Sequence, residues 1–245
     1  MASSLFVDLD WNEISHIVPC VDLHPNAIHL AYLENGDLRA YLEKNPTPPR
    51  ELQIAWFQQI ARALIQLHDR RILVADIATR SLLLDADLSL QLCDFSEATI
   101  LPLDTDMELA DDDGYRVGTD LGQVGAVMYE VITGQRCEFD LFAESPIDES
   151  RASLPRRSAL PSTDGLWLGS IIDACWTNGF RDARCLLAAL ESFDQAPLNY
   201  QGRAWAVLLS LNPRHFRLDT AILVSVLAAG IAATFVMGRW TKGKL

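Results

Sequence analysis

Between Glu51 and Arg70, apolar residues recur at helical spacing. Phe57, Ile60, Ala61, Leu64 and Leu67 follow an i, i+3, i+4, i+7 pattern, while Arg62, Gln66 and Asp69 fall largely elsewhere. This predicts a helix with one buried stripe. Leu121 to Thr133 predicts a second, strongly apolar helix, ended by Gly134 at a C-cap position. Leu166 to Trp176 and Asp182 to Ser192 predict two more amphipathic helices. Strand signals are shorter. Ala27–Leu33 is an apolar run followed by a turn at Glu34-Asn35-Gly36. Asp37 then suits the N-cap of a short helix from Leu38 to about Glu43, and Asn45-Pro46-Thr47-Pro48-Pro49 stops it. Leu82–Leu84 and Leu88–Leu92 flank Asp85-Ala86-Asp87 and predict a hairpin. Leu101 to Gly114 is an acidic loop, and residues 137–165 are loop-rich, with Pro146, Pro155 and Pro161. There is no internal repeat. The pattern through residue 193 is mainly α, with small β-hairpins.

Charge narrows the function classes. Lys+Arg total 20 against Asp+Glu 33, a net charge of -13. A general nucleic-acid binder needs a basic surface, so no nucleic-acid partner is expected. The five cysteines are scattered without a CxxC pair, as expected for reduced thiols. Met1 to Ser15 holds Asp8, Asp10 and Glu13 and no basic residue, so no secretory signal peptide is expected there.

Read in order, several segments resemble the C-terminal lobe of a protein kinase. Tyr32-Leu33-Glu34-Asn35-Gly36-Asp37-Leu38 is similar to the segment after a kinase hinge. The long helix ending in Leu67-His68 is similar to the one that runs into the catalytic loop. Val74-Ala75-Asp76-Ile77-Ala78-Thr79-Arg80-Ser81 stands where kinases have HRD, four residues and Asn. Cys93-Asp94-Phe95-Ser96 stands where they have DFG. Thr119-Asp120-Leu121-Gly122 through Tyr129-Glu130 resembles the D-x-W-S-x-G helix, and Cys175-Trp176 the CW signature. The match covers roughly residues 27–193.

The resemblance assigns site residues. Asp76 takes the position of the carboxylate that orients the attacking hydroxyl, and Asp94 that of the Mg²⁺ ligand. Asp94 and Ser81 together occupy the Mg-ATP positions. The alternative reading of both Asp residues is that they cap turns or bind backbone amides.

The departures weigh more than the matches. The His and Arg of HRD are Val74 and Ala75, the Asn is Ser81, a weaker neutral ligand, and the Gly of DFG is Ser96, which is expected to restrict the backbone. No APE follows Asp94. Residues 1–26 hold no Gly-rich loop, no lysine and no arginine, and are expected to be a short remnant in place of most of the N-lobe. Phosphoryl transfer depends on positioning and charge neutralisation, so losing these groups together removes most of the rate. The acidic run Asp104, Asp106, Glu108, Asp111, Asp112 and Asp113 lies where an activation loop would be. It is either a solvated loop or a surface that mimics phosphate or docks a basic partner.

Ala221 to Gly238 is eighteen residues without a charge, about 27 Å as a helix. Arg214 and Arg217 precede it, and Arg239, Trp240, Lys242 and Lys244 follow. Basic and aromatic flanks suit headgroups, so residues 219–239 are expected to be a transmembrane helix. Residues 194–218 are then a juxtamembrane connector and 240–245 a short basic tail. This layout predicts a single-pass tail anchor in the mitochondrial outer membrane or the endoplasmic reticulum, with residues 1–218 cytosolic.

The expected fold is therefore a kinase-like C-lobe, mainly α with small hairpins, followed by one transmembrane helix. The expected function is a catalytically impaired kinase-like binding or scaffold module with a protein partner and no cofactor. Two readings remain beside it. One is a divergent protein kinase that uses Asp76 and Asp94 with Mg-ATP. The other is a truncated fragment without function.

Overall fold

The computed structural model describes residues 13–24, 26–46, 48–143 and 151–194. Helix α1 spans Leu38–Lys44, and the Asp37 carboxylate accepts the Ala40 N–H at 2.9 Å, the N-cap expected from the sequence. Asn45 closes the helix. Helix α2 spans Arg50–Asp69. Phe57, Ile60, Ala61, Leu64 and Leu67 are all fully buried, and Trp56 and Ala63 join them. Each large side chain so buried contributes roughly 1.5–3 kcal/mol. This stripe is the floor of the core.

Helix α3, Val117–Thr133, starts four residues before the expected Leu121. The reason is local. The Thr119 hydroxyl accepts the Arg116 N–H at 2.8 Å and gives the first turn a partner. Gly134 ends the helix at φ 69°, and its N–H donates to the Glu130 carbonyl at 2.8 Å. Nearly every residue of α3 is buried, so it is the central helix of the lobe. Helix α4, Gly169–Trp176, starts three residues after the expected Leu166 and lies against α3. A Cβ on Gly125 would come within 2.8 Å of Cys175 Cβ and 2.9 Å of Trp176 Nε1, so only glycine permits this approach. Helix α5, Ala183–Asp194, covers α2 through Leu186, Leu190 and Phe193. The Arg62–Glu191 and Arg184–Asp69 pairs, at 2.9 and 2.6 Å, flank that contact.

Three two-stranded antiparallel sheets decorate the helices. Strand β1, Cys20–His24, pairs with β2, Ala27–Leu30. The sequence pattern predicted one strand here, Ala27–Leu33; the strand ends at Leu30 and has a partner in β1. Strand β3, Ile72–Leu73, pairs with β6, Thr99–Ile100. Strands β4, Leu82–Leu84, and β5, Leu90–Leu92, form the expected hairpin. Leu82, Leu84, Leu90 and Leu92 face the core, and the Asp85 and Asp87 carboxylates accept the Ser89 N–H across the turn. Residues 13–18 belong to the same body. The Leu92 N–H donates to the His16 carbonyl, the Val18 N–H donates to the Leu92 carbonyl, and Ile14, Ile17 and Val18 are buried.

Among the described residues no helix is long and apolar enough to cross a membrane. The expected span at 219–239, the connector beyond Asp194 and the tail 240–245 lie outside the described residues.

Candidate functional site

The segment Val74–Ser81 leaves β3 and is fastened to α3 from below. The Asp120 carboxylate, fully buried, accepts the N–H groups of Val74 and Ala75 at 3.0 and 2.9 Å. Its Oδ2 also lies 2.9 Å from His68 Nε2 at the end of α2. One turn along α3, the Gln123 amide accepts the Ile77 N–H at 3.1 Å and donates to the Ala75 carbonyl at 2.7 Å. Farther along, Glu130 accepts the Thr79 hydroxyl at 2.8 Å. Buried backbone groups need partners, and here side chains supply them where no ladder reaches. Ala75 sits at φ 68°, a left-handed position held by these bonds.

Asp76 follows and is partly exposed. Arg80 donates to both of its oxygens, at 2.6 and 2.5 Å. The Asp76 charge also reaches Tyr115. Burial, then the Glu97, Asp76 and Asp112 carboxylates, push the Tyr115 phenol above its usual value.

The β4–β5 hairpin brings Ser81 and Cys93 together, with the Cys93 N–H on the Ser81 carbonyl at 2.8 Å. Asp94 then takes a left-handed φ of 64°, and its carboxylate accepts the Ser96 N–H at 3.3 Å. Ser96 was expected to restrict the backbone. The left-handed residue is Asp94 instead, so a serine fits there.

A cleft of about 420 Å³ opens at this point. Val18, Ile28, Leu30, Leu83 and Leu92 give it an apolar wall. Arg80, Ser81, Asp94 and Ser96 give it a polar end, with Cys93 and Phe95 beside them. Burial raises the Cys93 thiol above its ordinary value; the Asp94 backbone hydrogen bond opposes this and the Asp94 charge adds to it. Of the site residues read from the sequence, Asp94 and Ser81 therefore share one cleft. Asp76 does not line it and is joined to it by Arg80.

The donors can be tested against Mg²⁺ with nucleotide. Magnesium takes six oxygens in octahedral geometry, with carboxylates and phosphates favoured. Asp94 offers one carboxylate. The Ser81 hydroxyl is engaged inside its own loop: it lies 2.9 Å from the Ala78 carbonyl and 3.3 Å from the Asp76 carbonyl, and accepts the Ala78 N–H at 3.0 Å. Arg80, the one cationic side chain lining the cleft, is held by Asp76. The apolar wall fits a flat ring, and the polar end offers the Asp94 carboxylate beside a guanidinium that is held by Asp76.

The acidic run is ordered by one member. Asp111 accepts from Arg116, Arg151 and the Gly114 N–H. Burial opposes its ionisation, but the Gly114 bond and the two arginines outweigh it and hold the carboxyl below its usual range. Glu108 lies 3.3 Å from Arg181.

Sequence reasoning missed Asp120 and Gln123 as supports of the loop. Their signal was available: two polar residues three apart on a mostly apolar helix. It also missed the cleft wall: Val18 lay in a segment read as no element, and the run Ala27–Leu33 did not show that Ile28 faces the cleft.

The sequence matches the family model described as protein tyrosine and serine/threonine kinase over residues 3–192. It is 31% identical over 121 residues to serine/threonine-protein kinase Nek1 of Mus musculus, covering 43% of this chain and 10% of that protein. It is 28% identical over 156 residues to serine/threonine-protein kinase ATG1c of Arabidopsis thaliana, covering 55% and 21%. It is 25% identical over 140 residues to the RasGEF domain-containing serine/threonine-protein kinase X of Dictyostelium discoideum, covering 51% and 15%. The chain thus spans 10% to 21% of the length of these relatives.

Proposed function

The chain belongs to the protein tyrosine and serine/threonine kinase family, and on that premise we propose that it works as a catalytically impaired, membrane-tethered binding module of that family. One observation carries the reading. The Ser81 hydroxyl is turned into its own loop, so among the described residues the cleft is left with one lining carboxylate, Asp94. Transfer of a phosphoryl group needs the metal and cationic side chains to neutralise charge that develops on its oxygens. Lys44 is the one lysine among the described residues, and it closes α1 without lining the cleft.

What the lobe keeps supports a binding role. The loop, the hairpin and the cleft are built on a packed core, with the loop amides satisfied by Asp120 and Gln123. A rigid surface of this kind suits a protein partner. The expected span 219–239, free of charge from Ala221 to Gly238, supplies the tether, in the mitochondrial outer membrane or the endoplasmic reticulum. No cofactor is part of this reading.

The enzyme reading rests on a specific feature. Asp94 lines the cleft at a left-handed φ of 64°, and Asp76 lies on the adjoining loop. Incubation of the full chain with labelled ATP and Mg²⁺ separates the two. The binding-module reading expects no incorporation above an Asp94→Asn control. Incorporation that disappears in both Asp76→Asn and Asp94→Asn overturns it.

A further inference from the structure

We propose that Asp22, His24 and His29 form a site for a divalent transition-metal ion of the zinc class on the outer face of the β1–β2 hairpin. One ligand atom from each residue lies within 4.8 Å of the other two. His24 Nε2 is 3.0 Å from Asp22 Oδ2, and the two imidazoles meet edge to face with centroids 4.9 Å apart. Tetrahedral coordination at zinc bond lengths sets ligand atoms about 3.3 Å apart. The residues are exposed, so side-chain rotation alone closes the remaining distance.

Strand register places the three on one face. Asp22 pairs directly with His29, and His24 is two residues along from Asp22. Paired residues, and residues two apart, point the same way. Ile28 and Leu30 alternate with His29 and line the cleft on the other face. The metal face and the cleft face are therefore opposite sides of one two-stranded ribbon.

The donor set decides the ion. Two imidazoles and a carboxylate suit zinc and its neighbours, with water at the remaining position. Magnesium and calcium demand oxygen ligands and are not matched. Because His29 comes from β2 and the other two from β1, a bound ion clips the strands together. An isolated two-stranded hairpin is marginal in water, so this clip stiffens the element that walls the cleft. The inference does not depend on whether the cleft takes nucleotide.

Titration of Zn²⁺ alone into the full chain, followed by calorimetry, tests it at about pH 7.5, since metal binding competes with protons. The expected result is one ion per chain at micromolar affinity. Loss of a partner that merely orients a ligand weakens a metal by ~10–100-fold, so His24→Ala and His29→Ala each weaken it by about tenfold or more. Both variants keep the metal-free melting temperature, since both side chains are exposed. Zinc also slows hydrogen exchange of the β1–β2 amides in the wild-type chain. No binding below millimolar Zn²⁺ overturns the proposal. So does an affinity unchanged in both variants, or a site that disappears when the thiols are alkylated.

Discussion

Asp120 and Ala75 are joined by a 2.9 Å hydrogen bond from the Ala75 N–H to a carboxylate that has no exposure to solvent. Ala75 holds a left-handed backbone, at φ 68°, because that bond and the Gln123 contact fix both of its peptide groups. The shape of the loop that carries Asp76 is thus stored in α3, whatever the loop now does.

Removing Asp120 tests this support. Asp120→Ala leaves the N–H groups of Val74 and Ala75 and the His68 ring nitrogen without a buried acceptor. Each orphaned group costs about 1–3 kcal/mol, and the sum is reduced by whatever water enters. The expected loss is about 3 kcal/mol or more in urea unfolding. Asp120→Asn keeps the shape and one acceptor, and its loss is smaller. A loss below about 1 kcal/mol for Asp120→Ala contradicts the account.

Gly125 fixes the approach of α4 to α3. Gly125→Ala places a methyl group against Cys175 Cβ at 2.8 Å and Trp176 Nε1 at 2.9 Å. Overpacking of this kind costs roughly 1–3 kcal/mol. The melting temperature falls, although alanine is intrinsically the better helix former. An unchanged or higher melting temperature rules out the close contact.

The fold was legible where a local rule acts alone. The α2 stripe at Phe57, Ile60 and Leu64, the Asp37 cap and the Gly134 stop each rest on residues a few positions apart. Of the β1–β2 hairpin, only β2 was legible, within the apolar run Ala27–Leu33. In β1 the alternation of Val21, Asp22, Leu23 and His24 is short and both faces are mostly exposed, so it gives a weak strand signal. The β3–β6 pair is two residues long on each side and depends on Ile72 meeting Ile100, a contact that no local pattern encodes. At the site, the positions of Asp76, Ser81 and Asp94 were legible from motif order. The inward turn of the Ser81 hydroxyl and the Arg80 clamp on Asp76 were not, because both are choices of side-chain geometry.

Within the acidic run Asp111 makes the most ion pairs, while Glu108 pairs with Arg181 and Asp106 accepts the Glu108 N–H. Asp111→Ala removes acceptors for Arg116, Arg151 and the Gly114 N–H. Exposed ion pairs contribute about 0–1 kcal/mol each, so the expected cost is roughly 1 kcal/mol. Asp104→Ala, at an exposed position, falls within about 0.5 kcal/mol of wild type. The lowered Asp111 pKa gives stability that is present above the ordinary carboxylate value and is lost as pH falls through the folded-state value. Acid titration of Asp111→Ala therefore shows a shallower loss than wild type. Equal losses in the two proteins contradict this assignment.

Thiol burial predicts the alkaline limb. Burial, then Glu130 and Glu138, push Cys137 from 9.0 up to about 12, and complete burial raises Cys175 as well. An unfolded chain releases both protons above about pH 9, while the folded chain holds them. Stability is therefore full below that pH and falls as pH rises towards about 12. Cys137→Ala flattens this limb in melting curves recorded across the range. A limb as steep as that of wild type removes Cys137 as its cause.

The measurement that tests the central claim most directly is thermal unfolding of the full chain with and without Mg·ATP, repeated with Asp94→Asn. A ligand that binds the folded state alone raises the melting temperature in proportion to the logarithm of its saturation. With one carboxylate facing the cleft and the Ser81 hydroxyl engaged, the account predicts no shift at millimolar nucleotide in either protein. A shift of several degrees in wild type that vanishes in Asp94→Asn would establish a working metal–nucleotide site and contradict it.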